Sequence, residues 1–177
     1  MTEKKAAPKN IDFTWHLAAD EPEVAATEFE FALMRTFESF GRWQSECLVA
    51  SSGYVASGPD NALLHVIRMN DRAKTIKEIA RLMNRDDIPN IQYSIRKMVS
   101  DGLVSKHGSS RTGVTYAAMD RGREITDRYA EIRRSQLISE IGELPEFTAR
   151  MKDAVRTLNI LSGLYEEASR VIATHRR

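Results

Sequence analysis

The stretch from Thr75 to Ala118 constrains the fold most, because its spacing predicts two short helices followed by two strands. Thr75 and Glu78 form a capping box, in which each residue satisfies a backbone amide at the start of a helix. Four apolar residues then recur at helical spacing, namely Ile76, Ile79, Ala80 and Met83. A polar run ends this helix in a turn, and Pro89 begins the next one.

The second helix, from Pro89 to Ser100, is predicted to have one buried face and one polar face. Ile91, Ile95 and Met98 are spaced four and three residues apart, so they share a face. The other face carries Asn90, Gln92, Tyr93, Ser94, Arg96 and Lys97. These side chains can hydrogen-bond to base edges or phosphates, and a helix fits the major groove of B-DNA. We therefore interpret this helix as a DNA reader.

A β-hairpin is predicted after this helix. Gly102 ends the helix, because glycine takes the left-handed conformation without steric cost. Leu103–His107 and Val114–Ala118 are strand-like, and the intervening loop carries Arg111. A lone arginine at such a tip suits a narrow minor groove, although it is equally compatible with a solvated loop.

Helix, turn, helix and basic hairpin together resemble the winged helix-turn-helix of the multiple antibiotic resistance regulator (MarR) family. The residues that carry the resemblance are Ile79 and Ala80, the run Met98–Val104 and the run Met119–Glu124. The resemblance implies a mainly α fold, a winged helix-turn-helix with a small β-hairpin wing and long N- and C-terminal dimerisation helices. It also implies a transcription regulator that binds DNA as a homodimer, on a site that is a pseudo-palindrome.

Long helices are predicted on both sides of this domain. From Pro22 to about Ala50, a stripe of Phe29, Leu33, Phe40, Trp43 and Cys47 is too long for a small winged-helix core to cover. In the last helix eight apolar residues are spaced alternately by four and three, namely Phe147, Met151, Ala154, Leu158, Leu161, Tyr165, Ala168 and Ile172. This heptad repeat is typical of a coiled-coil-like seam. The seam either joins two copies or packs within the chain on the first helix.

These patterns divide the chain into four predicted segments. They are a flexible arm over residues 1–20, a dimerisation helix over 21–58, the winged helix DNA-binding domain over 59–119 and C-terminal dimerisation helices over 120–177. Asp60 or Asn61 is expected to cap a short helix that leads into the DNA-binding domain. The predicted dimer contacts are Phe29, Leu33, Met151, Leu158, Leu161, Tyr165 and Ile172.

Charge is unevenly distributed along the chain. Residues 72–111 contain nine Lys or Arg and four Asp or Glu, a local +5, whereas the whole chain carries only +1. A basic middle is expected where only the middle of the chain contacts phosphate. The predicted phosphate contacts are Lys74, Lys77, Lys97, Lys106 and Arg111. Asp86 and Asp87 would repel phosphate, so we expect them to face the dipole of their own helix.

Other function classes find little support in the sequence. The four histidines and the single cysteine form no metal-ligand spacing, and no nucleophile motif or glycine-rich phosphate loop is found, so we expect no enzyme, metal or cofactor. No apolar run is long enough for a membrane span, and no secretion signal is evident, so a cytoplasmic protein is expected. A winged helix that serves as a protein-interaction scaffold without DNA stays open.

The resemblance also implies modulation by a small aromatic effector. Phe40, Trp43, Tyr54 and His65 are candidate lining residues for its site, although the same residues are equally explained as core. Cys47 is interpreted as an inert core residue, because it lies on the apolar stripe near the end of a helix; the alternative is a peroxide-sensing thiol.

Overall fold

The computed structural model describes residues 16–53, 57–109 and 113–175. Two compact units are present, Met1–Thr126 and Asp127–Arg177. The elements, in chain order, are α1 Glu21–Ser52, α2 Gly58–Arg68, β1 Lys74–Thr75, α3 Ile76–Leu82, α4 Ile88–Ser100, β2 Val104–Ser109, β3 Gly113–Ala118, α5 Asp120–Arg133, α6 Ser139–Gly142 and α7 Phe147–Thr174. The predicted mainly α fold with a winged helix-turn-helix is therefore confirmed.

The first three helices begin at side chains that accept a hydrogen bond from the amide three residues later. Asp20 caps α1, Ser57 caps α2 and Thr75 caps α3. The prediction that Asp60 or Asn61 caps α2 is wrong, because Gly58 and Pro59 already belong to its first turn, where proline is tolerated. Asn61 is instead buried, and its Nδ2 donates to the carbonyl of Gln44 on α1 at 3.1 Å.

The core of the first unit lies between α2, α3, α4 and a small sheet. Its fully buried apolar side chains are Leu63, Leu64, Ile67, Ile79, Ile91, Ile95, Leu103 and Val104. The sheet has three antiparallel strands in the order β1-β3-β2, one more than the two-stranded ribbon predicted. In the register, Lys74 of β1 and Lys106 of β2 both lie opposite Tyr116 of β3, one on each side.

In the second unit, the end of α5 continues through a π-helical turn, Arg134–Ile138, into α6. None of the residues of α7 is buried. Of its heptad positions, Leu161 is half-buried, and Met151, Leu158, Tyr165 and Ile172 are exposed. A helix with an exposed apolar seam of this kind leaves its hydrophobic surface available for burial against another surface.

On α1, the predicted dimer contact Phe29 is half-buried and Leu33 is exposed. Cys47 is buried, and burial raises the pKa of its thiol, as does the neighbouring Glu46. This shift disfavours the reactive thiolate. Within the described ranges, no helix is long and apolar enough to cross a membrane, and no group of three or more His, Cys, Asp or Glu side chains is arranged to hold a metal ion.

Candidate nucleic-acid interface

Helix α4 is anchored by one face and presents the other outward. Ile91, Ile95 and Met98 are buried, as their spacing predicts. The predicted reading face is exposed and comprises Asn90, Gln92, Tyr93, Arg96 and Lys97. Tyr93 keeps 67% of its surface accessible, so its ring and hydroxyl are available for contact with another molecule. Contact of these residues with base edges stays a prediction.

A groove of about 290 Å³ lies between α4 and the sheet. It is lined by Gln92, Ile95, Arg96, Val99, Lys106 and Tyr116. Its lining therefore combines two aliphatic side chains with an amide, a phenol and two cations. Because Arg96 comes from the helix and Lys106 from β2, a phosphate group that enters the groove would meet positive charge from both sides.

The C-terminus of α4 is fixed by a glycine-dependent turn. Gly102 has a left-handed φ of 69°, and the amide of Leu103 donates to the carbonyl of Met98 at 2.9 Å. This bond pattern is a Schellman motif. The same pattern ends α3, where Asn84 takes the left-handed conformation, with φ of 51°. These two turns fix the lengths of both helices in the helix-turn-helix.

The first turn of α5 lies directly against the chain that leaves α4. The amide of Met119 donates to the carbonyl of Leu103 at 2.9 Å, and Arg121 Nη1 donates to the carbonyl of Asp101 at 3.1 Å. A Cβ at Gly122 would lie 2.3 Å from the Leu103 carbonyl oxygen. Glycine is thus required at position 122 by close approach of two backbones, and this gives a physical reason for that residue in the sequence motif.

Lys74 is not a phosphate contact, contrary to the prediction. Its side chain is fully buried, with 0% exposure. The ammonium donates to the carbonyl of Ile67 at 2.9 Å, to that of Arg72 at 3.1 Å and to that of Met69. Burial lowers the pKa of Lys74, and the three carbonyls compensate for its lost hydration. Lys74 therefore holds the chain between α2 and β1, and it is unavailable to DNA.

Ion pairs occupy two further cations of the basic segment. Arg72 pairs with Glu78, so the Glu78 carboxylate does not reach back to Thr75 as in a full capping box, although the Glu78 amide still donates to Thr75 Oγ1 at 3.2 Å. Arg85 pairs with Asp87. The predicted contacts Lys77 and Lys106 are exposed. Arg111 lies outside the described residues.

Asp87 directly precedes α4, but its carboxylate makes no capping bond to that helix; that it faces the helix dipole stays a prediction. Arg85 Nε donates to Asp87 Oδ1 at 2.7 Å, and Asn90 Nδ2 donates to Asp87 Oδ2 at 3.2 Å. These hydrogen bonds, with that from Arg85 the stronger influence, lower the pKa of Asp87 to about 2. The negative charge of Asp87 is thus neutralised by a neighbour within the turn, and Asn90 is tied to the same carboxylate.

A second concave feature, which we call the α1 cavity, has a volume of about 690 Å³. It is lined by residues of α1, of the start of α2 and of the turn between α3 and α4, including Phe37, Phe40, Arg42, Met83 and Arg85. Phe40 was a predicted lining residue, whereas Trp43 and His65 are not among the lining residues and Tyr54 lies outside the described residues.

Sequence reasoning missed Arg42 and Arg85 as cavity residues. Arg42 lies two residues after Phe40 on α1, so helical spacing alone would not place both on one wall. Arg85 follows α3 in a turn, where no periodicity predicts the direction of a side chain. The cavity therefore combines aromatic surface with two arginines, Arg42 and Arg85, and two carboxylates, Glu38 and Glu46. Such a lining suits an aromatic ligand whose polar group pairs with one of these charges.

Comparisons with known proteins agree with this architecture. Residues 57–122 match the family of winged helix DNA-binding domains. A comparison with curated proteins finds no match.

Three solved structures share the fold at low sequence identity. FabT of Streptococcus pneumoniae in complex with DNA is 15% identical, with a TM-score of 0.65, over 78% of this chain and 99% of that chain. A mutant of MarR from E. coli complexed with operator DNA is 15% identical, with a TM-score of 0.62, over 78% of this chain and 99% of that chain. CouR from Rhodococcus jostii bound to p-coumaroyl-CoA is 16% identical, with a TM-score of 0.57, over 75% and 92%. Residues 57–122 therefore form a winged helix domain, and the chain has the fold of the MarR-family transcriptional regulators, as its sequence resemblance implied.

Proposed function

We propose that the protein is a MarR-type transcription regulator that reads double-stranded DNA with α4. The observation that carries the proposal is the outward polar face of α4 beside a groove with a cation on either side, Arg96 and Lys106. In this arrangement Gln92, Tyr93 and Arg96 meet base edges in the major groove, with Asn90 at the start of the helix. Lys77, Lys97 and Lys106 hold phosphates and set the register.

Fluorescence titration with random and genomic duplexes at two salt concentrations tests DNA binding. Gln92→Ala and Arg96→Ala are expected to reduce discrimination between preferred and random duplexes by about 1–3 kcal/mol, because each removes a base contact. Unchanged discrimination by both variants would exclude them from base reading. A folded protein that binds no duplex at either salt concentration would instead favour the protein-interaction scaffold.

The proposed regulator acts as a homodimer. The exposed seam of α7, with Leu158 and Tyr165, offers apolar surface that a second copy would cover. A symmetric dimer presents two copies of α4 to half-sites about one helical turn of DNA apart. Leu158→Glu is expected to yield monomers by sedimentation velocity and to weaken binding to a palindromic duplex. Thr157→Glu on the same helix is the matched control. A Leu158→Glu protein that stays dimeric would place the interface elsewhere.

The α1 cavity is the proposed effector site for a small aromatic acid. Phe37 and Phe40 would pack on its ring, and Arg85 would pair with its carboxylate, beside the carboxylates of Glu38 and Glu46. An aromatic carboxylate such as 1-naphthoate is expected to raise the melting temperature, whereas the uncharged 1-naphthamide is expected to act less. Phe40→Ala should reduce the shift, because it removes one wall of the cavity. Equal shifts in Phe40→Ala and the unmodified protein would place the ligand outside this cavity.

A further inference from the structure

Helix α4 begins differently from the three helices before it. Asp20, Ser57 and Thr75 have extended backbones, with ψ of 177°, 158° and 159°, and each side chain accepts from the amide three residues on. Asp87 precedes α4 with φ of −77° and ψ of 58°, and its side chain makes no capping bond. An aspartate at this position ordinarily caps the helix through the same type of bond.

The backbone at Asp87 forms an inverse γ-turn. The amide of Ile88 donates to the carbonyl of Asp86 at 2.8 Å, a bond that spans two residues, and the dihedral angles of Asp87 lie near the ideal values for this turn. The amide available for a capping bond is that of Asn90, because Pro89 has none. Asn90 N donates instead to the backbone carbonyl of Asp87 at 3.0 Å.

Arg85 explains why the capping bond is missing. Its Nε and Nη2 donate to the two carboxylate oxygens of Asp87, at 2.7 and 2.5 Å. Asn90 Nδ2 shares the second oxygen. With its carboxylate turned toward Arg85 and its backbone in the turn conformation, Asp87 makes no side-chain bond to the Asn90 amide. The charge-assisted pair is the stronger interaction, so it prevails over the cap.

The same Arg85 lines the α1 cavity together with Phe40 and Met83. Arg85 therefore lines the cavity and also binds the residue that precedes α4. The structure has Asp87 bound to Arg85 in the inverse γ-turn. The other arrangement that an aspartate at this position can adopt is the extended cap of a helix. A switch requires such a pair of discrete states, each favoured by a different partner.

We propose that Arg85 is a positioning residue that couples the α1 cavity to the first turn of α4, an inference that rests on the proposed function. An organic anion in the cavity binds the Arg85 guanidinium and releases the Asp87 carboxylate, which then caps α4 through the Asn90 amide. The Asn90 side chain loses its tie to Asp87, and the first turn of the reading helix changes conformation. The state with Arg85 bound to Asp87 is the one that binds DNA.

The test removes each partner of the pair without a ligand. Arg85→Gln and Asp87→Asn are both expected to weaken binding to a duplex selected by the unmodified protein by about five- to tenfold, the lower range of allosteric couplings. Arg35→Gln is the matched control, since Arg35 lies on α1 outside the cavity, over the ring of Phe31. It should leave affinity unchanged. Melting temperatures check that each variant is folded.

The Asp87→Asn variant distinguishes coupling through Arg85 from a direct electrostatic effect of Arg85 on the DNA phosphates. If Arg85 acted only as a positive charge near phosphate, then removal of the Asp87 charge would strengthen DNA binding, and Arg85→Gln would lower the salt dependence by about one counterion. Coupling predicts weaker binding in Asp87→Asn and an unchanged salt dependence in Arg85→Gln. Tighter binding by Asp87→Asn, or affinity unchanged in Arg85→Gln, would overturn the proposal.

A backbone readout decides the inference independently of DNA. The ¹³Cα and ¹³Cβ chemical shifts of Asp87 report its ψ angle. This angle should move from the turn value toward the extended cap in Arg85→Gln and should not change in Arg35→Gln. Asp87 shifts that are identical in Arg85→Gln and the unmodified protein would refute the two-state turn. Failure of the unmodified protein to bind any duplex would refute the proposed function alone.

Discussion

Replacement of Lys74 by methionine is expected to lower the free energy of unfolding by about 2 kcal/mol. The change removes the ammonium but keeps the length of the side chain. Of the three carbonyls it leaves behind, that of Ile67 is bonded in a buried setting and the other two lie in partly buried bonds that water can replace. One unsatisfied buried acceptor costs about 1–3 kcal/mol. Removal of the charge also removes the cost of burying an ammonium group, which would stabilise the variant. This gain should be small, because the three hydrogen bonds already offset most of that desolvation cost.

Lys106→Met is the matched control, because Lys74 on β1 and Lys106 on β2 lie opposite the same residue, Tyr116, of the central strand β3. Lys106 is exposed, so its replacement should change stability by less than about 0.5 kcal/mol. For DNA binding, Lys106→Met should have the larger effect. Lys106→Met should weaken binding to all duplexes and reduce the salt slope by about 0.9, whereas Lys74→Met should leave the slope unchanged. Urea denaturation and salt-dependent titration measure the two effects. A Lys74→Met protein that is as stable as the unmodified one, or that has a lower salt slope, would refute the buried placement.

Three further outcomes follow from the turns of the winged helix. Gly122→Ala is expected to destabilise by at least about 2 kcal/mol in urea, because its Cβ would lie 2.3 Å from a carbonyl oxygen; Gly102→Ala, with no atom within 4 Å, should cost only the left-handed backbone, about 1 kcal/mol. Asn84→Gly should stabilise by about 0.5 kcal/mol, since glycine adopts the left-handed conformation more readily. The stability difference between the unmodified protein and Arg85→Gln should be fully present above pH 3.8, the ordinary pKa of Asp87, and be lost as the pH falls through about 2; a difference that persists at pH 2 would contradict the ion pair.

The sequence predicts best those features whose cause lies within a few residues. Thr75 caps α3, Pro89 lies in the first turn of α4 and Gly102 ends it, as predicted, because caps and turns depend on local backbone chemistry. The buried and exposed faces of α4 were also predicted correctly, since a stripe such as Ile91 and Ile95 has one geometric solution on a helix.

Features that depend on distant contacts were not predicted. The two-residue strand β1 is too short to show any periodicity, and only its pairing with β3 defines it. Lys74 was interpreted as a surface cation, because lysine is almost never fully buried; its burial depends on carbonyls presented by the end of α2. Asp60 or Asn61 was predicted to cap α2, and the cap is Ser57. Serine, aspartate and asparagine are all good caps, so residue type alone does not identify the first residue of this helix.

Net charge alone does not show which cations of the basic segment could contact DNA, whereas their burial and pairing do. The local excess of five positive charges includes Lys74, which is buried, and Arg72 and Arg85, which are bound to acids of their own segment. The net charge of the segment counts every cation and every acid equally. It is therefore the same whether a cation is exposed, buried or paired with an acid. Cations on the outward face of α4 and on β2 retain exposure, and they flank one groove. Because attraction to DNA depends on the field at the contacting surface, the position of these exposed cations supports DNA binding more strongly than the total charge does.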